Sequence, residues 1–120
     1  MKDKILPIEQ AVELVKDGDQ IIMMGGLDYT PMALMRQIVR SGTSGLEMVG
    51  VVGASLNLDF LVGSGSVATV ETCDFNFQPF ARVAPNYLRY QKDLYTDHSE
   101  TKNQFRKLNH PLPLSWIICL

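Results

Sequence analysis

Gly25 and Gly26 end an apolar run, Ile21-Ile22-Met23-Met24, and stand just before Thr30-Pro31. Residues without a Cβ at a strand end let the backbone turn sharply and let a ligand come close to main-chain N–H groups. Donors fixed in advance are what a developing oxyanion needs. A tight turn with close helix packing needs the same residue type, so the glycines leave both readings open. Ser55 and Asn57 follow the next apolar run. Their side chains can hydrogen-bond a substrate carboxylate, and each is equally a helix-capping residue type. Tyr29 can cover a pocket from the loop before Pro31 or pack on the helix that follows.

No residue in this set is a nucleophile. Glu71 and Glu100 stand near expected strand ends, but Glu100 beside Ser99 has the pattern of a helix first turn. No catalytic role is assigned to either glutamate. His98 and His110 are single histidines without a base–nucleophile partner in sequence. Cys73 and Cys119 form neither a metal spacing nor a disulfide framework, so neither metal nor cofactor is expected. Gly63-Ser64-Gly65 lacks the lysine and the length of a phosphate-binding loop.

Bulk properties narrow the class. A chain of 120 residues is one domain on length, and 46% hydrophobic with 20% charged residues is ordinary globular composition. The net charge of −2 argues against a dedicated nucleic-acid binder, which would usually be clearly basic. That charge is unevenly spread: residues 1–75 hold five basic and ten acidic side chains, residues 76–120 six and three. A basic second part can face an anionic ligand or an acidic partner, or be a solvated surface. The cysteine usage fits a reducing, cytoplasmic compartment. No apolar run reaches the length of a membrane span.

The elements that would position these residues alternate. Ile8, Ala11, Val12 and Val15 make a helical stripe that Gly18 should stop. The run at 20–24 reads as a strand buried on both faces, as in a parallel sheet. Thr30 is placed to cap a helix from Pro31 to Ser41, with Leu34, Met35 and Ile38 inward. Residues 46–52 read as a second strand ending in the small-residue turn Gly53-Ala54-Ser55. A short helix over Leu58–Val62, broken by Gly63 and Gly65, then leads to a third strand at 67–72. Pro85 can open a helix through Tyr87, Leu88 and Tyr90. Phe75, Phe77 and Phe80 are expected in a core or an interface. The alternation predicts an α/β fold with an open, mainly parallel sheet flanked by helices. Ligands of such sheets bind at the carboxyl edge of the strands, where the glycine pair, Ser55 and Asn57 would all stand.

Several segments together resemble one family. Ile5-Leu6-Pro7-Ile8-Glu9-Gln10-Ala11-Val12, then Val15-Lys16-Asp17-Gly18-Asp19 and Gly25-Gly26, resemble the opening of the family I coenzyme A transferases, closest to the A (alpha) subunit of the glutaconate type. Asn57-Leu58-Asp59-Phe60-Leu61-Val62-Gly63-Ser64-Gly65, with Val67 and Val70-Glu71, is similar to a second stretch of that subunit. Ala84-Pro85-Asn86-Tyr87 with Arg89 looks like a third, and Ser99-Glu100 like a fourth. Three features depart from the pattern. The spacing from Asp17-Gly18 to Gly25-Gly26 is one residue longer, Leu27 replaces a usual phenylalanine, and Pro31 comes early.

The resemblance implies transfer of CoA from an acyl-CoA to a free carboxylic acid, with CoA and its thioesters as substrates. The attacking glutamate would lie on a partner B (beta) subunit in a hetero-oligomer. This chain would supply pocket wall: Gly25, Gly26, Tyr29, Ser55 and Asn57 for substrate or CoA, and no catalytic residue. Subunits of this type are longer than 120 residues. The expectation is therefore a shortened member, with a partial α/β domain over 1–100, an irregular tail over 101–120 and an unpaired sheet edge. The alternative is a non-catalytic α/β binding or assembly module. A sugar-phosphate isomerase of related architecture lacks an acid–base pair here.

Overall fold

Helix and strand alternate along the chain in the computed structural model, which describes residues 5–24, 27–28, 30–51 and 53–96. The elements are α1 (Ile8–Val12), β1 (Gln20–Met24), α2 (Met32–Ser41), β2 (Leu46–Val51), α3 (Leu56–Ser64), β3 (Val67–Thr72) and α4 (Pro85–Thr96). The three strands form one sheet in the order β1-β2-β3, and both pairings are parallel. Parallel neighbours need crossovers, and α2 and α3 supply them. Two right-handed crossovers running the same way leave both helices on one face of the sheet. This is the expected α/β architecture.

The core lies between that face and the helices. Leu46 and Met48 of β2 and Val67 and Val70 of β3 are buried with Met35 and Ile38 of α2 and Leu58, Leu61 and Val62 of α3. Val12 and Val15 pack against it from the amino-terminal side. The opposite face differs from the expectation that β1 is buried on both sides: Ile22, Met24 and Val51 are exposed. Among the described residues, β1 is an edge strand covered only by the helical layer on the other face.

Three boundaries also differ from the pattern reading. α1 stops at Val12, although the apolar stripe runs on to Val15. Leu14 and Val15 donate to carbonyls three residues back, and the Lys16 N–H goes to the Asp19 carboxylate at 2.7 Å, which takes the chain out of the helix. α2 is capped by Pro31 and not by Thr30, with no side-chain cap bond; Met32 N–H donates instead to the Thr30 carbonyl at 2.8 Å. α3 begins earlier and runs through Gly63, ending only at Gly65.

The reason Gly63 does not break α3 is a neighbour. A Cβ placed there would come within 2.6 Å of the Asn86 side chain at the start of α4, so the missing side chain is room for Asn86. Gly63→Ala is expected to cost about 1–3 kcal/mol by overpacking. A lower urea midpoint with an unchanged slope would show it.

α2 and α3 end alike. Ser41 Oγ donates to the Ile38 carbonyl and meets Thr43 Oγ1, while Ser64 Oγ donates to the Leu61 carbonyl and meets Ser66 Oγ, all between 2.8 and 3.0 Å. Between each hydroxyl pair stands a left-handed glycine, Gly42 or Gly65, as the C-cap. Ser-Gly-Thr and Ser-Gly-Ser are thus two copies of one stop signal, each feeding a strand.

Candidate functional site at the carboxyl edge of the sheet

Because the strands are parallel and in register, Met24 pairs with Val51 and the chain leaves β1 and β2 at the same edge. The stretch after β2 is not the turn expected for Gly53-Ala54-Ser55. Ala54 continues the parallel alignment against Phe75, with Ala54 N–H on the Asp74 carbonyl at 2.6 Å and Asn76 N–H on the Ala54 carbonyl at 3.1 Å. Thr72 Oγ1 donates to the same Asp74 carbonyl at 2.8 Å. This extension delivers Ser55 and the first turn of α3 to the rim of the sheet.

Ser55 is the N-cap residue of α3 by position, and its carbonyl accepts the Asp59 N–H at 2.9 Å. Its side chain makes no cap bond. The residue is buried, and among the described residues no hydrogen bond uses its hydroxyl. A buried hydroxyl without a protein partner is a costly feature unless something else fills it.

Asn57 is differently placed. It is 1% exposed. Its Nδ2 donates to the Met24 carbonyl at 3.2 Å and lies 3.5 Å from Met23 Sδ, while its Oδ1 accepts the Leu58 N–H at 3.0 Å. Both ends of the carboxamide are therefore engaged within the protein. The side chain ties the last residue of β1 to the first turn of α3. Gly25, Gly26 and Tyr29 lie outside the described residues, so of the five expected site residues the structure brings Ser55 and Asn57 together at one rim.

The residue that pattern reading passed over is Asp59. It is buried, with Oδ1 accepting Tyr87 N–H at 2.9 Å and Oδ2 accepting Asn86 N–H at 3.2 Å and Asn86 Nδ2 at 3.0 Å. It thus caps α4 from another helix, and its backbone carbonyl also accepts from Asn86 Nδ2. A signal was present: Asp59 lies three residues before Val62, on the apolar side of α3. The three phenylalanines separate. Phe75 is buried and stacks on Tyr87 with ring centroids 4.9 Å apart, Phe77 packs against the core, and Phe80 is exposed.

A helix N-terminus, a buried hydroxyl without a partner among the described residues and a strand end converge at the carboxyl edge of an open parallel sheet, the place where α/β proteins take small ligands. A family model for coenzyme A transferase matches residues 5–82. The chain belongs to that family. It is also similar to a solved chain of a variant of the decarboxylase AibA/AibB, with 26% identity and a TM-score of 0.63 over 75% of this chain. The match covers 35% of that neighbour, so this chain spans about a third of its length. No curated protein matches. Among the described residues no group of three or more His, Cys, Asp or Glu stands together, and no helix is long and apolar enough to cross a membrane.

Proposed function

We propose that this chain is an A-type half of a CoA transferase, moving CoA from an acyl-CoA to a carboxylic acid together with a B-type partner that carries the attacking glutamate. The family match over residues 5–82 carries the reading. On the partner, the glutamate carboxylate would attack the thioester carbonyl, expelling CoA thiolate as the acyl-enzyme anhydride forms. The thiolate would then attack the glutamyl carbonyl of the anhydride, giving a glutamyl thioester and releasing the donor acid as its carboxylate. The acceptor carboxylate would enter and leave with CoA by the same two steps in reverse. This chain would contribute Gly25, Gly26, Tyr29 and Ser55 to the facing wall in a cytoplasmic hetero-oligomer. Asn57 would hold the end of β1 beside that wall.

Reconstitution tests it. Alone, the chain is expected to exchange no CoA between an acyl-CoA and a free acid; with a B-type partner it should do so, and hydroxylamine should convert the activated glutamate of the partner to its hydroxamate, expelling CoA. Acyl transfer to a carboxylate of this chain would overturn the assignment. Within the reconstituted enzyme, Ser55→Ala is expected to raise KM for the acid several-fold. It should change folding stability by no more than about 0.5 kcal/mol, because the hydroxyl it removes has no partner to lose among the described residues.

The rival reading is a non-catalytic α/β module that keeps the fold without the pocket. Thermal shift separates the two, since a ligand that binds only the folded state raises its stability. No shift with CoA or acyl-CoA, with or without a B-type partner, would favour the module.

A further inference from the structure

Hydrogen-bond donors outnumber free acceptors at the start of α3. Among the described residues no bond uses the N–H of Leu56, the N–H of Asn57 or the Ser55 hydroxyl. The acceptors beside them already hold partners. The Ala54 carbonyl takes Asn76 N–H, the Ser55 carbonyl Asp59 N–H, the Met24 carbonyl Asn57 Nδ2, and Asn57 Oδ1 the Leu58 N–H. An N-cap side chain ordinarily accepts one of the first-turn N–H groups. Ser55 does not, although it is only 4% exposed. A water would bring two donors of its own to a rim whose acceptors are taken. A group that only accepts fits better, and the dipole of a nine-residue helix favours a negative one.

We propose that the first turn of α3 cradles one carboxylate, held by the Leu56 and Asn57 N–H groups and the Ser55 hydroxyl. Whose carboxylate it is rests on the proposed function, where it belongs to the acid substrate; the binding itself does not depend on that function. CoA would bring a second kind of anion, its phosphates, and the sequence disfavours them here. Phosphate carries more oxygens and up to two charges, and Lys or Arg commonly meets it. Neither occurs in residues 17–35 or 41–81, which contain all three strands and α3. Three uncharged donors suit two oxygens and a single charge. The turn is also held in place before any ligand arrives, because Asn57 Nδ2 ties it to the end of β1. Leu56 is half-buried between two buried neighbours, so the turn reaches the surface.

Amide NMR resonances of the full-length chain, followed during titration with sodium acetate at constant ionic strength, test this. Those of Leu56 and Asn57 should move and saturate, with a Kd of about 10 mM or below. Acetamide, which has nearly the same shape but no charge, should move them far less, and so should inorganic phosphate. Ser55→Ala should weaken acetate binding about tenfold, the loss of one hydrogen bond to a charged group. Ser55→Asp supplies a carboxylate from the chain itself, at a position where Asp caps helices well. It should fold, raise Tm and abolish the acetate response. Resonances that stay still in acetate would overturn the proposal, as would equal movement in acetamide or a stronger response to phosphate. So would a Ser55→Ala chain that binds acetate as tightly as the unaltered one, or a Ser55→Asp chain that still responds or fails to fold. If acetate moves these amides but no CoA exchange appears with a B-type partner, the transferase reading falls and the cradle stands. Exchange without movement does the reverse.

Discussion

Asp59→Ala is expected to lower folding stability by about 3 kcal/mol, because it removes at once the cap of α4 and a partner of the half-buried Asn86 amide. The Asp59 carboxylate accepts three N–H groups, two from the first turn of α4 and one from the Asn86 side chain. A negative charge at a helix N-terminus adds favourable interaction with the helix dipole. Truncation would leave those donors facing apolar α3. The Asn86 carboxamide, packed against Gly63, would lose its contact with the carboxylate and keep the Asp59 carbonyl and the Arg89 guanidinium.

Asp59→Asn sharpens the prediction. It keeps the shape and one acceptor oxygen but turns an NH2 group toward the N–H groups of α4, so about 2 kcal/mol should still be lost. Urea unfolding measures both variants. Hydrogen exchange at Asn86, Tyr87 and Leu88 should quicken more than exchange in the strands, and near-UV circular dichroism should report loosening of the Phe75–Tyr87 stack. Equal quickening in β2 and at the start of α4 would show that Asp59 supports the whole core rather than the helix.

Most of the architecture was legible because it is written locally. The apolar runs at 20–24 and 46–51 and the stretch at 67–72 are strands, and the α2 stripe places Met35 and Ile38 in the core as its spacing requires. Short connections then left a parallel order as the simple solution. What was not legible depends on partners far along the chain. Gly63 looks like a helix breaker until Asn86 is seen to need its space. Asp59 carries no local signal of which groups it serves, because Asn86 and Tyr87, which take its oxygens, stand 27 and 28 positions later. Four apolar residues in β1 look like a strand buried twice over, because sequence shows apolarity but not which face the crossovers cover. At the site, the residue types allowed both capping and ligand contact for Ser55 and Asn57. Only geometry shows, among the described residues, one hydroxyl without a partner and one carboxamide engaged at both ends.

That contrast makes the last prediction. Asn57→Ala is expected to cost about 2–3 kcal/mol, since a buried carboxamide that bonds in two directions is removed and the Met24 carbonyl is left without its donor. For a domain of this size the loss corresponds to a drop of roughly 10–20 °C in Tm. Asn57→Asp should be no better, because a carboxylate would face the Met24 carbonyl where the amide donates now. Ser55→Ala, two residues away on the same turn, should leave Tm nearly unchanged. The pair therefore separates two jobs at one rim: Asn57 holds β1 to α3, and Ser55 would, on the proposed function, face the substrate. In the reconstituted enzyme the signatures should differ in kind. Asn57→Ala should lower the folded fraction while the surviving fraction keeps its KM for the acid, whereas Ser55→Ala should change KM in a fully folded protein. If Ser55→Ala unfolds the chain and Asn57→Ala only weakens binding, the assignments must be exchanged. The rim would then be built on the hydroxyl, with the carboxamide turned to substrate.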